Sequence, residues 1–370
     1  MGSHRAELVL PYGPGEAVIL EPPHSHENPL TLRANRLNAH GWKLVGKRVL
    51  MDFGMDAMVD RAAALTYYAI LSAAPTVLAL YSIATLLLPR DRDDAAELFT
   101  EFVARYVPDE LEADAVQFLL NVVGTPSQST VALVVSVLIS LLSASAYVRS
   151  FSRNANVIYG RAEGRTLPVI WLTMWLLTIV LVSGVAVLVF ASLLREPLVV
   201  GVLRPFAEPF GLTGTVEYLT EKFFPVWQWL RLPVIAGVSV LLVSLLYYYA
   251  PNVRPGRYRL LTLGSFLAQL VIAGVWLLFG LYLSAFGVRS AYGVFGIVLA
   301  VLGVVWVMNV VLLLGLKIDA EILRAKELQV GLDSETTIQA RPRSTEAVKF
   351  RLQLKRWAGR SAREIKGRNA

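Results

Sequence analysis

Long stretches without a charged residue alternate with short charged connections along this chain. The first of them, 62–89, lies between Arg61 and Arg90. Because about 20 apolar residues are enough to cross the hydrocarbon core of a bilayer, this stretch predicts a transmembrane helix. Pro75 stands in its middle. The turns on either side of the proline carry hydroxyl groups, on Thr66, Tyr67, Tyr68, Ser72 and Thr76.

Five more uncharged stretches follow the first. They predict helices near 131–148, 167–194, 233–250, 260–286 and 292–316. Every Lys, Arg, Asp and Glu of the chain lies outside the six predicted spans. This is expected, since a charge at the bilayer centre costs about 2.5–3.5 kcal/mol on insertion scales. The sequence therefore predicts an all-α integral membrane protein with six transmembrane helices.

The charges of the connections predict the orientation. Segment 90–130 holds nine acidic residues against three arginines, whereas 149–165 holds four arginines against one acid. The short connection 251–259 has three arginines and no acid, and the chain after 316 has thirteen basic residues against seven acids. Basic connections stay on the cytoplasmic side of a membrane. Both termini are therefore predicted to be cytoplasmic.

The pattern also predicts three regions. Residues 1–41 form a mostly irregular cytoplasmic tail, 42–326 form the six-helix domain, and 327–370 form a basic cytoplasmic tail. Within the outer connections, 95–107 and 111–123 place apolar residues on one face of an otherwise acidic helix. We expect these two amphipathic helices to cover the outer end of the helix bundle.

Two amphipathic stretches flank the spans. The first places Trp42, Val45, Val49 and Phe53 at helical spacing. Such a helix either lies in the membrane interface or packs on the protein's own cytoplasmic face. The second, 345–366, is strongly basic and aligns Ala347, Phe350, Leu354 and Trp357. Such a stretch could bind anionic lipid or nucleic acid, and the alternative is a solvated, partly disordered tail. We expect membrane lipids as partners and no nucleic acid, and a homo-oligomer is compatible with the pattern.

Composition supports a membrane protein and offers little for catalysis. Apolar residues make up 55% of the chain and charged residues 17%, whereas about a quarter of a soluble protein is charged. The chain has no cysteine, and its four histidines precede position 41. No predicted span contains a histidine or carboxylate. We therefore predict no catalytic, cofactor-binding or metal-binding residue, and no enzyme.

Polar side chains within the spans predict an internal path. The candidates for its lining are Tyr68, Ser72, Pro75, Ser140, Gln269 and Asn309. The alternative is helix packing, since hydrogen bonds between membrane helices average only about 0.6 kcal/mol. A small-residue seam at Gly296, Ala300 and Gly303 favours packing. At the basic end of the spans, Arg153 and Arg254 are candidates to recruit anionic headgroups, unless they serve only to fix topology.

Several motifs follow one another along the chain, at residues 62–75, 154–160 and 247–252, and then at Tyr282, Phe286, 292–293, Trp306 and 313–315. In this order they resemble the YihY/virulence factor BrkB family, formerly labelled ribonuclease BN. The resemblance implies six transmembrane helices in the bacterial inner membrane and a role in the cell envelope. The sequence departs from the family at Lys317, where a glutamate is usual.

Two functions follow as hypotheses. The first is a transporter-like protein for a lipid, a lipid-linked precursor or another anionic amphiphile, for which the polar faces and the two arginines would serve. The second is a membrane scaffold that transports nothing and binds a cytoplasmic or envelope partner through its basic tail. Ribonuclease activity, the older family label, finds no hydrolytic site among these residues.

Overall fold

The structure is a computed structural model. It describes residues 8–9, 18–19, 36–87, 126–194, 214, 218–254, 260–286 and 294–368. The two predicted outer-loop helices, 95–107 and 111–123, lie outside these ranges. In the N-terminal stretch predicted as mostly irregular, β1 (Leu8–Val9) pairs antiparallel with β2 (Val18–Ile19).

The described part of the chain is otherwise largely helical. Its helices are α1 Ala39–Met55, α2 Met58–Leu87, α3 Pro126–Ile158, α4 Leu167–Leu193, α5 Phe224–Tyr249, α6 Leu263–Phe286, α7 Val294–Gln329 and α8 Glu346–Arg368. A single π-helical turn, Leu219–Phe223, leads into α5. Each of the helices α2 to α7 overlaps one of the six segments predicted as spans.

Four helical segments among the described residues are long and apolar enough to cross a membrane. They are Leu167–Ser192, Thr220–Tyr249, Leu263–Tyr282 and Leu299–Gln329. These segments correspond to the last four predicted spans. The remaining two predicted spans are continuous helices, α2 and α3.

Helix α5 begins earlier than its predicted span, at Phe224 instead of 233. A proline in the first helical turn lacks only an N–H that would have no partner there, so Pro225 is compatible with this start. Pro233 lies inside the helix. The helix thus extends through Arg231, the charge that bounds the predicted span.

Helices α4 and α5 pack against each other as an antiparallel pair. The Trp227 indole N–H donates to the Leu194 carbonyl at 2.9 Å, which closes one end of the pair. A Cβ on Gly184 would lie 2.3 Å from Leu242 Cδ2. The missing side chain at Gly184 thus permits close packing of these two helices.

Helices α6 and α7 also approach closely. A Cβ on Gly264 would lie 1.9 Å from the Gly315 carbonyl oxygen, and one on Gly315 would lie 2.6 Å from the Gly264 oxygen. Backbone therefore meets backbone at this crossing. The seam predicted on the same helix differs, since a Cβ on Gly303 would meet no atom within 4 Å.

The chain divides into two compact units. The first comprises Met1–Met58, Phe151–Val271 and Val311–Ala370, and the second comprises Val59–Ser150 and Ile272–Val310. In the first unit, α1 runs antiparallel to the end of α7, because Asn38 N–H meets Gln329 Oε1 at 3.2 Å while Asp52 and Asp56 meet Lys317.

Candidate functional site

A buried carboxamide connects three helices of the second unit. Asn309 on α7 is 3% exposed. Its Nδ2 donates to Thr66 Oγ1 on α2 at 3.1 Å and to the Val305 carbonyl at 3.0 Å, while Tyr147 on α3 donates to its Oδ1 at 2.8 Å. We call Thr66, Tyr147 and Asn309 the amide network.

The amide network satisfies its own polar groups. Besides accepting from Asn309, the Thr66 hydroxyl donates to the Ala62 carbonyl at 2.8 Å. Burying an amide without partners costs roughly 1–3 kcal/mol, so a carboxamide placed in an apolar helix needs such partners. The sequence singled out Asn309, and the structure supplies the two residues that hold it.

The other predicted path residues of this unit lie on α2 and α3. Ser140 is buried at 4% exposure, and the Ser72 hydroxyl donates to the Ala69 carbonyl of its own helix at 2.7 Å. Tyr68 is half-buried and meets Tyr67 edge to face, with ring centroids 5.5 Å apart. Pro75 lies within α2, and its side chain is outside the described part.

Gln269 belongs to the first unit and has a different partner. Its Nε2 donates to the Ser239 carbonyl at 2.8 Å, and the Ser239 hydroxyl donates to Gln269 Oε1 at 3.2 Å. This pair joins α5 to α6. Gln269 is therefore engaged with α5, and no feature of the sequence pointed to Ser239 as its partner.

Buried arginines tie the connection between α3 and α4 to the end of α5. Arg165 forms two hydrogen bonds of 2.7 Å with the Glu163 carboxylate. It also donates to the Ala250 carbonyl at 2.9 Å and the Tyr249 carbonyl at 3.3 Å. The last carbonyls of a helix lack helical partners, and a guanidinium satisfies them. Arg165 is thus a structural cap.

Arg161 binds the segment that follows α7. Its Nη2 donates to the carbonyls of Ile338 and Ala340, both at 2.6 Å. Burial lowers the pKa of Arg161 to about 10, against the attraction of Glu327, so the group is still charged at neutral pH. The segment also binds the Glu327 carboxylate, whose Oε2 accepts from the Ser334 hydroxyl at 2.7 Å. This part of the predicted tail is integrated into the first unit.

A short antiparallel bridge completes this attachment. Val253 pairs with Pro342, the Arg254 N–H donates to the Arg341 carbonyl at 2.8 Å, and Ser344 N–H donates to Asn252 Oδ1 at 3.1 Å. Arg343 stacks over the Tyr248 ring at 4.7 Å, and burial lowers its pKa. The end of α5 is therefore covered by chain from beyond α7.

The two arginines predicted to recruit headgroups remain at the surface. Arg153 and Arg254 are both exposed, in contrast to Arg161 and Arg165, which are 2% and 4% exposed. The structure thus separates one basic region into two buried structural arginines and two accessible ones.

A buried lysine fastens α1 to α7. Lys317 Nζ lies 2.7 Å from Asp52, 3.0 Å from Asp56 and 3.3 Å from Glu321. Glu321 also pairs with Arg324 at 2.9 Å. This cluster was missed at the sequence level. The sequence feature that could have revealed this cluster is the spacing of 317, 321 and 324, which places three charges on one helix face.

Helix α1 shows features of both predicted placements, packing on the protein and lying in the membrane interface. Val45 is buried, and Asp52 holds the helix to α7, as packing on the protein would require. Leu50 and Met55 are nevertheless 80% and 79% exposed. The helix is therefore attached on one face and apolar on another.

Replacing Gly164 with alanine is expected to detach the segment after α7. A Cβ there would lie 1.8 Å from the Ser344 carbonyl oxygen and 2.8 Å from Asn252 Nδ2. Overpacking of this kind costs about 1–3 kcal/mol, so denaturant titration in detergent should show a lower free energy of unfolding. Gly237→Ala is the control, because its Cβ would meet no atom within 4 Å. A Gly164→Ala protein as stable as the wild type would contradict the contact.

Long apolar helices joined by charged connections define a multi-pass α-helical membrane protein. The chain belongs to the Virulence factor BrkB family, whose model matches residues 49–337. This match confirms the resemblance seen in the motifs. The comparison with curated proteins gave no match, and neither did that with solved structures. Within the described ranges, no group of three or more His, Asp or Glu residues is placed to hold a metal ion.

Proposed function

We propose that this protein is a transporter-like component of the bacterial inner membrane that gives passage to a lipid, a lipid-linked precursor or another anionic amphiphile. In this proposal α2 and α3 cross the bilayer together with the four apolar segments, which gives six spans. The excess of arginine in 149–165 and 251–259 supports cytoplasmic termini. The proposal includes no catalytic step.

The observation that carries the proposal is the amide network. A carboxamide in a membrane helix is costly and is usually kept for a function in the bundle interior. Here it joins α2, α3 and α7 through hydrogen bonds to Thr66 and Tyr147. Bonds of this type are worth only about 0.6 kcal/mol each in a membrane. Because these bonds are weak, α2, α3 and α7 can separate here at low cost. A polar headgroup can then hydrogen-bond to the groups of the amide network that have lost their partners.

Four of the remaining path residues belong to the same unit as the amide network. Tyr68, Ser72 and Ser140 would hydrogen-bond to a headgroup, and Pro75 would let α2 bend, because a proline removes one helical hydrogen bond. In the first unit, Gln269 would offer an amide after release from Ser239. The exposed Arg153 and Arg254 would gather anionic headgroups before entry. Acyl chains need no such contacts, since they stay in lipid.

Purified protein reconstituted in vesicles should move a fluorescent anionic phospholipid between leaflets, and Asn309→Leu should slow this movement about fivefold to tenfold. Such a change in rate corresponds to the loss of roughly 1–1.4 kcal/mol, about two hydrogen bonds at ~0.6 kcal/mol each in a membrane. The rate of quenching by an external reductant measures the movement.

Thr178→Val provides the matched control for Asn309→Leu. Thr178 is fully buried in α4, but its hydroxyl donates to the Met174 carbonyl of its own helix. Removing this hydroxyl changes polarity without breaking a bond between helices, so transport should continue at the wild-type rate. Equal losses in the two variants, or no lipid movement by the wild type, would contradict the proposal.

A further inference from the structure

Helix α8 exposes an apolar stripe that the transport proposal does not use. Phe350, Leu354, Trp357 and Ile365 recur at helical spacing and are 49–65% exposed. The opposite side of the same helix is attached to the protein, because Val348 is 3% exposed and packs with Ala162 and Leu352. The stripe therefore faces away from the surface to which α8 is fixed.

The charge of α8 complements an anionic surface. Between Glu346 and Arg368 the helix carries eight Lys and Arg residues and two Glu residues, a net charge of +6. Basic residues flank the apolar stripe on both sides, as with Arg351 on one side and Arg360 on the other. An apolar stripe with an aromatic residue and a strongly basic remainder is typical of helices that lie in the membrane interface.

The first turn of α8 is fixed at the level where two membrane segments end. The Ala347 N–H donates to the Gly164 carbonyl at 2.9 Å, and Gly164 lies three residues before Leu167, the start of the α4 span. Asn252, three residues after the end of the α5 span, binds the Ala162 and Ser344 carbonyls at 3.0 and 2.9 Å. α8 thus starts beside the interface of the protein's own membrane.

From these three observations we infer that α8 is an interfacial anchor that lies on the adjacent leaflet, inserts its apolar stripe between the headgroups and selects anionic lipid. The family match ends at residue 337, so α8 lies beyond the matched residues. A bilayer is present beside every copy of the protein, whereas an acidic protein or a second copy must be recruited. The anchor is independent of lipid transport and holds if transport fails.

Full-length protein with one fluorophore tests the anchor. The chain has no cysteine, so Leu354→Cys labels the apolar stripe alone. Gly359→Cys is the control, because position 359 lies about 140° around the helix from 354 at 100° per residue, and its Cβ would meet no atom within 4 Å. Each protein is placed as a single copy in a lipid nanodisc, and a second preparation holds two copies per disc. One disc type is zwitterionic and the other contains phosphatidylglycerol, and both types carry a nitroxide-bearing lipid as quencher.

In the anionic discs the label at 354 should emit at shorter wavelength and be quenched several-fold more than the label at 359. Salt at about 1 M, where the Debye length is about 3 Å, should reduce this difference. Arg360→Gln with Arg363→Gln should reduce it too, since fewer charges meet the lipid.

Three results would overturn the inference. In the first, the label at 354 is as accessible to water as the label at 359 in anionic discs. In the second, the label at 354 is buried as deeply in zwitterionic discs as in anionic discs. In the third, it is buried only in discs that hold two copies of the protein. The last result would identify a second copy of the chain as the occupant of the stripe.

Discussion

Lys317→Glu is expected to give one of the two largest losses of stability in this protein. The lysine side chain is only 4% exposed and lies within 3.3 Å of three carboxylates, on Asp52, Asp56 and Glu321. Removing one partner of a buried ion pair costs about 3–5 kcal/mol. Glutamate would add a fourth carboxylate in place of the cation. Because Asp52 and Asp56 keep 22% and 30% exposure, solvent relieves part of this repulsion.

Denaturant titration of the purified protein in detergent measures this loss. Lys47→Glu is the matched control, with the same change of charge at an exposed position of α1. Adding Asp52→Lys to Lys317→Glu should recover part of the stability, because an opposite pair is restored across the same contact. If the control costs as much, or if the second change restores nothing, the cluster does not hold α1 to α7.

Arg165→Met is expected to cost a similar amount, about 3–5 kcal/mol. The side chain of Arg165 is 3% exposed and that of Glu163 is 10% exposed. Without the guanidinium, the Glu163 carboxylate keeps its hydrogen bond from Asn156 at 2.9 Å but loses its countercharge. The Ala250 carbonyl also loses a donor, although it still accepts from the Ser152 hydroxyl at 2.6 Å. The expected cost therefore comes mainly from the Glu163 charge, which is then buried without a countercharge.

Two further variants separate the ion pair from the general effect of losing an arginine. Arg153→Met removes an exposed arginine twelve residues earlier in the chain and should change the free energy of unfolding by less than about 1 kcal/mol. Adding Glu163→Gln to Arg165→Met should make the protein more stable than Arg165→Met alone, since no uncompensated charge remains. A double variant less stable than the single one would show that Arg165 acts only as a cap of carbonyls.

The contacts of the segment after α7 decide where the end of the chain should be truncated. Residues 327–370, the predicted basic cytoplasmic tail, include Ile338 and Ser334, which are at most 1% exposed. Arg161 and Asn252 bind this segment. A truncation at 327 would therefore remove part of the first unit together with α8. A truncation after 348 removes most of α8 and leaves these contacts in place, which suits tests of the basic tail.

The sequence alone located the helices of this protein. The cost of a charge in a bilayer is local to each residue, so gaps between charged residues mark the apolar helices directly. In the part of the chain that the structure describes, each of the six gaps contains a helix, and four of these helices meet the requirements of a membrane span. Asn309 could be identified as a candidate site residue for the same reason, because it is a carboxamide in an otherwise apolar helix. The motifs were sufficient to recognise the family.

Tertiary structure decided which polar groups are partners and which are free to bind something else. Thr66 lies 243 positions from Asn309, and the Ala340 carbonyl lies 179 positions from Arg161. Arg153 and Arg165 look alike in sequence, yet only Arg165 lies where α5 ends and leaves carbonyls without helical partners. Likewise, α6 and α7 meet at Gly264 and Gly315 instead of at Gly303. Contacts of this kind depend on which backbone groups the fold brings together, and no local pattern of residues contains that information.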